Sequence, residues 1–328
     1  MAYDNIRIEK GMYRAPGGLT GALEKLDPSA EYKNTELEGL DAYQRQLKRF
    51  DISVAGAGSS TVEKFFQTSD SAALFPEYVS RAVRLGMNEG DKLSSIVATT
   101  TRIKGMDYRT IKSNADEESL QLKSVAEGAV IPETTIKVSD KLVKLKKRGR
   151  MLVASYEALR FQRLDLFTVT LKQIGAHIAR QQFADAVSVL TDSASSVTLA
   201  AEKTLSYADF ISLWNDLYPY ELNTMAASPA MISKMLGLTQ FQNPNTGINF
   251  AGTGKLSTPL GAEVVKSKAV GSDTIIGLDR NYALEMVVAE DVSVDYDRLI
   301  DRQLERAAIT SIVGFSKIFP EAVKLIKI

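Results

Sequence analysis

Nucleophilic and metal chemistry most often start from cysteine and histidine, and this chain of 328 residues has no cysteine and one histidine, His177. That excludes a disulfide framework, Cys-ligated zinc, iron–sulfur clusters and a thiolate nucleophile. Two-His metal sites cannot form within one chain, and any Ser-His-Asp triad would have to be built on His177. His177 lies in a helical pattern beside Ala176 and Ile178, and no strained G-x-S-x-G turn occurs. A helix-surface or packing role is therefore expected for it.

Other residues invite nucleotide or ion readings. Val54-Ala55-Gly56-Ala57-Gly58 begins like a dinucleotide fingerprint, but Thr61 stands where the third glycine belongs, and Phe75-Pro76 follows instead of a strand with an acidic ribose ligand. Gly252-Thr253-Gly254-Lys255 suggests a phosphate loop, yet the pattern needs glycine at Asn249 and Ser or Thr at Leu256. Asp291, Asp295, Asp297 and Asp301 lack the central glycine and closing glutamate of a calcium loop. The segment Lys137–Arg150 carries seven Lys or Arg and one acid. It has no interleaved aromatics for base stacking, so contact with an acidic patch on a neighbouring subunit is the better reading than nucleic acid. No catalytic constellation, cofactor site or metal site emerges.

Composition points the same way. Forty Lys and Arg balance forty Asp and Glu, 45% of residues are hydrophobic and 24% are charged. A net charge of zero argues against a protein whose task is to grip phosphate backbones. The start, MAYDNIRIEK, carries Asp4, Arg7, Glu9 and Lys10 and has no apolar signal core. No run approaches the roughly 18 apolar residues of a membrane span. The expected product is made in the cytosol and stays soluble there.

The elements that would position any site follow from periodicity. Pro16-Gly17-Gly18 and Asp27-Pro28-Ser29 break the first 70 residues, which read as an arm. Thr35 and Glu38 have capping-box spacing, and Leu37, Leu40, Tyr43, Leu47 and Phe50 follow at helical intervals. That helix has nothing nearby in sequence to pack against, so it needs a partner surface. Phe75-Pro76-Glu77 signals a helix start and Gly86 its end. From Ser94 to Arg150 the period falls to two, with an acidic turn at Asp116-Glu117-Glu118 and a kink at Gly128 and Pro132. This is a long polar β-excursion, marginal by itself and expected to lie on a neighbour. Residues 164–190 hold the best helix, with Phe167, Leu171, Ile174, Ile178, Phe183, Val187 and Leu190 on one face and a length of about 40 Å. Ser206 with Asp209 opens a helix through Phe210, Leu213, Trp214 and Leu217, and Ser228-Pro229 opens another. Residues 263–265, 274–276 and 284–288 read as strands, and 292–328 as mostly β with a charged bend at Tyr296–Arg302.

An amphipathic arm, a long β-excursion, a backbone helix, an α/β region and a terminal β segment, in this order, resemble the major capsid proteins of tailed bacteriophages, the Hong Kong 97 fold. Ala126-Glu127-Gly128-Ala129-Val130-Ile131-Pro132-Glu133 resembles the family's A-E-x-A-x-x-P-E segment on the extended loop. Ala227-Ser228-Pro229-Ala230-Met231 resembles the axial-domain "N-P" helix start, and Thr258 to Val265 the "G-x-P-V" strand. Val292-Ser293-Val294 through Phe319-Pro320-Glu321-Ala322 is similar to the long peripheral hairpin. The likeness covers roughly residues 70–328.

The resemblance implies an α+β fold: N-terminal arm 1–70, peripheral domain from 71–93, extended β-loop 94–150, spine helix within 151–191, axial domain 192–288, peripheral hairpin 289–319 and C-terminal strand 320–328. It implies a non-enzymatic coat protein that self-assembles into hexamers and pentamers of an icosahedral shell around double-stranded DNA, without sequence-specific DNA binding. A separate scaffolding protein, a portal and a decoration protein are the implied partners, and the virion, assembled in the host bacterial cytoplasm, is the implied location. Inter-subunit contacts are expected at Leu37, Leu40 and Tyr43 of the arm, at Lys141, Lys144, Lys146 and Arg148 of the loop, and at Arg298, Asp301 and Arg302 of the bend. Some family members weld subunits through a Lys–Asn isopeptide bond assisted by glutamate. Here the corresponding positions fall on Gln303 and Thr310, so no self-crosslinking is expected. The alternatives are an encapsulin-type compartment loaded with an enzyme and, from another class, a nucleotide-dependent enzyme using Gly56 and Gly58.

Overall fold

Thr68 starts the first long helix by accepting a hydrogen bond from the Ser71 amide (3.1 Å), while the Ser71 hydroxyl accepts one from the Thr68 amide (3.1 Å). The helix then runs 21 residues, Ser69–Glu89, straight through Pro76. In the computed structural model the described residues are 5–113, 124–125, 127, 136–139, 141–155, 161–201, 203–242, 259–299 and 304–328. They fall into two units: Met1–Gly90, Arg148–Ala179 and Asp291–Ser311 form the first, and Asp91–Lys147, Arg180–Glu290 and Ile312–Ile328 the second.

The first unit holds helices α1 (Gly18–Leu26), α2 (Ala42–Arg49) and α3 (Ser69–Glu89), and the N-terminal part of α4 (Leu164–Thr191). Its core is aromatic: Phe75 packs edge-on to Phe65 (5.5 Å between centroids) and stacks on Phe167 (6.2 Å). Proline inside a helix removes one backbone bond and pushes on the preceding turn. The damage is repaired from the N-terminal segment, where the Tyr13 hydroxyl donates to the Ala73 carbonyl (2.7 Å) and accepts from the Glu77 amide (3.0 Å). Burial and the nearby Glu77 carboxylate push the Tyr13 phenol above its ordinary range.

The apolar stripe expected to need a partner surface finds one within the chain. Leu37 and Tyr43 are 5% and 2% exposed within the chain's own core, and Leu40 is half-buried. The expected capping box at Thr35 is also displaced. Thr35 and Glu38 stabilise a turn, the Thr35 hydroxyl donating to the Tyr32 carbonyl (2.8 Å) and Glu38 accepting from the Asn34 amide (2.9 Å). Asp41 and Gln44 form the box that starts α2. The helix is therefore shorter than its apolar periodicity suggested. Its Arg45 and the facing Asp27 are both fully buried, 2.6 Å apart, with the guanidinium over the Tyr32 ring at 4.3 Å. Gly86 does not end α3 either: the helix continues to Glu89, and Gly86 meets α4 instead.

The second unit is built on a five-stranded sheet in the order β5-β11-β8-β6-β7: Ser195–Ser196, Val323–Lys327, Thr274–Leu278, Thr224–Ala227 and Glu263–Lys266. Alternation along these strands sends Ala226, Ile276, Leu278, Val323 and Leu325 into one core and Met225, Ala227, Ile275 and Ile326 into another. Phe183, Ala186, Val187 and Leu190 of α4 join the first of these cores. Helices α5 (Tyr207–Asp216) and α6 (Pro229–Leu236) join the second through Phe210, Leu213, Met231, Ile232 and Met235. Their expected caps hold: Asp209 accepts from the Ser206 amide (2.7 Å), and Ser228 accepts from the Met231 amide (3.2 Å).

A four-stranded sheet has the order β1-β9-β10-β4, from Thr99–Arg102, Leu284–Leu299, Leu304–Lys317 and Leu145–Ser155. The expected charged bend from Tyr296 is narrower than read, because β9 continues through Asp291, Asp295 and Asp297 to Leu299. The acidic turn at 116–118, the segment 128–133, and the segment 252–255 lie outside the described residues.

Candidate assembly surfaces

The glycine turn at Gly56 shows what the chain does not offer a nucleotide. A phosphate cradle presents backbone N–H groups at the start of a helix. Here the Gly56 and Ala57 carbonyls accept from the Arg163 guanidinium (3.1 Å each), and the next element is the short 3-10 turn Val62–Phe66. Asp291, Asp295 and Asp297 lie along a strand, not in a loop, and Asp297 pairs with Arg306 at 2.8 Å. Asp301 lies outside the described residues. His177 is exposed on the surface of α4, as its neighbours in the sequence suggest. Among the described residues no group of His, Asp and Glu is placed to hold a metal ion, and no helix is long and apolar enough to cross a membrane.

The surface residues divide by unit. In the second unit Lys141 and Lys144 are exposed on the returning limb of the excursion. Lys146 is committed to Asp185 of α4 at 2.6 Å. Arg148, half-buried on the same strand, belongs to the first unit. Arg298 is the penultimate residue of β9, and Asp301 and Arg302 lie outside the described residues. The expected arm contacts through Leu37 and Tyr43 are not brought to the surface at all, because the chain covers them itself.

Sequence reasoning also missed an apolar surface. The helix pattern ran through Trp214 without giving it a face, and Trp214 is 55% exposed, alongside exposed Ile211 and Tyr218. The signal was legible: Phe210, Leu213 and Leu217, at spacings of three and four, already fill one face. Ile211 and Trp214, three residues apart, therefore lie on another side of α5, and Tyr218 is exposed just beyond the helix end. In the first unit Phe161, Leu166 and Val169 are exposed where α4 begins, and Met151 and Val153 on β4.

A family model of phage capsid proteins matches residues 138–310, more than half of the chain. The chain belongs to the phage capsid protein family. Comparison with curated proteins by sequence finds no match. Solved structures share the fold at low identity. The capsid of a native GTA particle matches with a TM-score of 0.54 at 15% identity, over 74% of this chain and 90% of that one. The capsid of the cyanophage P-SCSP1u matches with a TM-score of 0.54 at 13% identity, over 72% and 88%. The virus-like particle from Pyrococcus furiosus matches with a TM-score of 0.52 at 13% identity, over 77% and 99%.

This capsid protein therefore has the α+β Hong Kong 97 fold expected from its element order, and it is a structural subunit: a major capsid protein whose copies build an icosahedral shell. The family match favours a phage head over an enzyme-loaded compartment. For such a subunit the relevant sites are surfaces.

Proposed function

We propose that this capsid protein closes into hexamers and pentamers around double-stranded DNA, with the excursion between β1 and β4 lying across a neighbouring subunit. The observation that carries this reading is the basic limb: Lys141 and Lys144 are exposed on a limb whose root is firmly held, whereas Lys146 is already paired inside the chain. Charged residues presented this way steer subunits together and fix register more than they add affinity. Leu40, Arg148, Arg298, Asp301 and Arg302 remain in the proposed contact set. Leu37 and Tyr43 contribute by holding the segment that bears Leu40. The balanced charge suits a container that must admit and release a polyanion. A separate scaffolding protein, a portal and a decoration protein complete the proposed assembly, in the host cytoplasm.

Negative-stain microscopy of the expressed protein, alone and with a scaffolding protein, tests the reading. Shells, tubes or capsomer rings are expected, and a uniform monomer under every condition would overturn it. With Gln303 and Thr310 at the proposed weld positions, denaturing gels of assembled shells should show single subunits. A ladder of covalent oligomers would refute that part.

A further inference from the structure

We infer that Glu285 is the anchor that fixes the root of the long excursion to the second unit. Glu285 lies on β9 and is 5% exposed. Three hydroxyls converge on its carboxylate. Thr101 donates to Oε1 at 2.6 Å, Tyr108 donates to the same oxygen at 2.7 Å, and Thr110 donates to Oε2 at 2.6 Å. All three donors lie on the outgoing limb, over ten residues of chain of which only the first two belong to a strand, the end of β1.

A buried carboxylate is costly unless its oxygens are satisfied, and hydrogen bonds to an ionised acceptor are the stronger kind. The arrangement therefore ties three points of an otherwise irregular segment to one rigid strand. Burial and the bond to Glu285 push the Tyr108 phenol above its ordinary range, as expected of a hydroxyl held as a donor.

The anchored limb then holds the other one. The Ser139 amide donates to the Thr110 carbonyl (2.8 Å), and the Val143 amide to the Tyr108 carbonyl (2.8 Å). Tyr108 and Thr110 thus bond Glu285 through their side chains and the returning limb through their backbones. The returning limb is also pressed against β10 at Gly314, where an added Cβ would sit 2.9 Å from the Lys144 carbonyl. Exposed Lys141 and Lys144 are presented from this clamped root. Glu285 is a positioning residue in this scheme. Its consequence for assembly rests on the proposed contact role of the excursion.

Hydrogen exchange on the full-length chain tests the anchor apart from assembly. In Glu285→Leu, amides in 101–110 and 139–143 should exchange at least about tenfold faster, while those of β6, β8 and β11 keep their rates. Glu285→Gln keeps the size and one acceptor oxygen and should restore most of the protection. Where Glu285→Leu fails to fold, Tyr108→Phe and Thr110→Val each remove a single donor and should show the same local release at smaller amplitude. Unchanged exchange in these segments, or an equal increase throughout the second unit, would overturn the anchor. Local release with undiminished shell yield would leave the anchor standing and remove the excursion's contact role.

Discussion

Gly86→Ala offers a sharp test of how α3 and α4 meet. Within a helix, replacing glycine by alanine normally favours folding by about 0.8–1.0 kcal/mol. At Gly86 the added Cβ would lie 2.0 Å from the Lys172 carbonyl oxygen and 2.5 Å from the Lys172 Cα, well inside the 3.0 Å that real Cβ atoms respect. The obstacle is helix backbone, which cannot rotate away like the tip of a side chain. The helices would have to part by about an ångström, loosening Val83, Ile174 and their neighbours in the core. Overpacking of this kind costs about 1–3 kcal/mol, and more where backbone must move. The net expectation is a loss of about 2 kcal/mol or more, opposite in sign to helix propensity. Gly175 meets the same crossing from the other side, with an added Cβ 2.0 Å from the Val83 carbonyl oxygen. Gly175→Ala should cost a similar amount, and the double variant less than the sum, because one separation relieves both clashes. Gly58→Ala, with open space around it, is the control and should be near neutral. Urea titration of the full-length chain reads all four. A Gly86→Ala chain that matches or exceeds the parent in stability would refute the close crossing.

Three further outcomes follow from the first unit. Asp27→Asn leaves the Arg45 guanidinium buried without its counter-charge and should cost about 3–5 kcal/mol in chemical denaturation, whereas Lys64→Ala, at the exposed Asp51 pair, should barely move the midpoint. Tyr13→Phe strands the Ala73 carbonyl and Glu77 amide beside Pro76 and should cost about 1–3 kcal/mol, with faster amide exchange confined to the middle of α3. Burial raises the Tyr78 phenol from 10.0 to about 12, so the folded state holds a proton that the unfolded chain releases. That contribution is complete below pH 10 and disappears as the pH climbs through about 12, a difference of up to about 3 kcal/mol. Denaturation midpoints should fall over this interval, and Tyr78→Phe should flatten the fall.

Local signals were enough for the elements whose ends and faces lie close together in sequence. The periodicity of Phe167 to Leu190 marks α4, Asp209 three residues after Ser206 marks α5, and Ser228-Pro229 marks α6. The order of these elements was also enough to indicate the family, since each motif needed only its own residues and its place along the chain. What local signals misread were positions that depend on a distant partner. Pro76 looks like a helix start because a proline interior to a helix leaves backbone groups unmet. Tyr13, far away in sequence, meets them. Gly86 looks like a helix end until Lys172 is seen to occupy the space a Cβ would need. The stripe of Tyr43 and Leu47 looks unpartnered until the chain folds back and covers it. Nor does anything in the spacing of Thr101, Tyr108, Thr110 and Glu285 announce that they share one buried point. Periodicity and capping are properties of neighbours along the chain, and sequence alone determined those. Close crossings, buried charges and the anchoring of a long loop require residues scores apart to meet, and only the tertiary structure decided them.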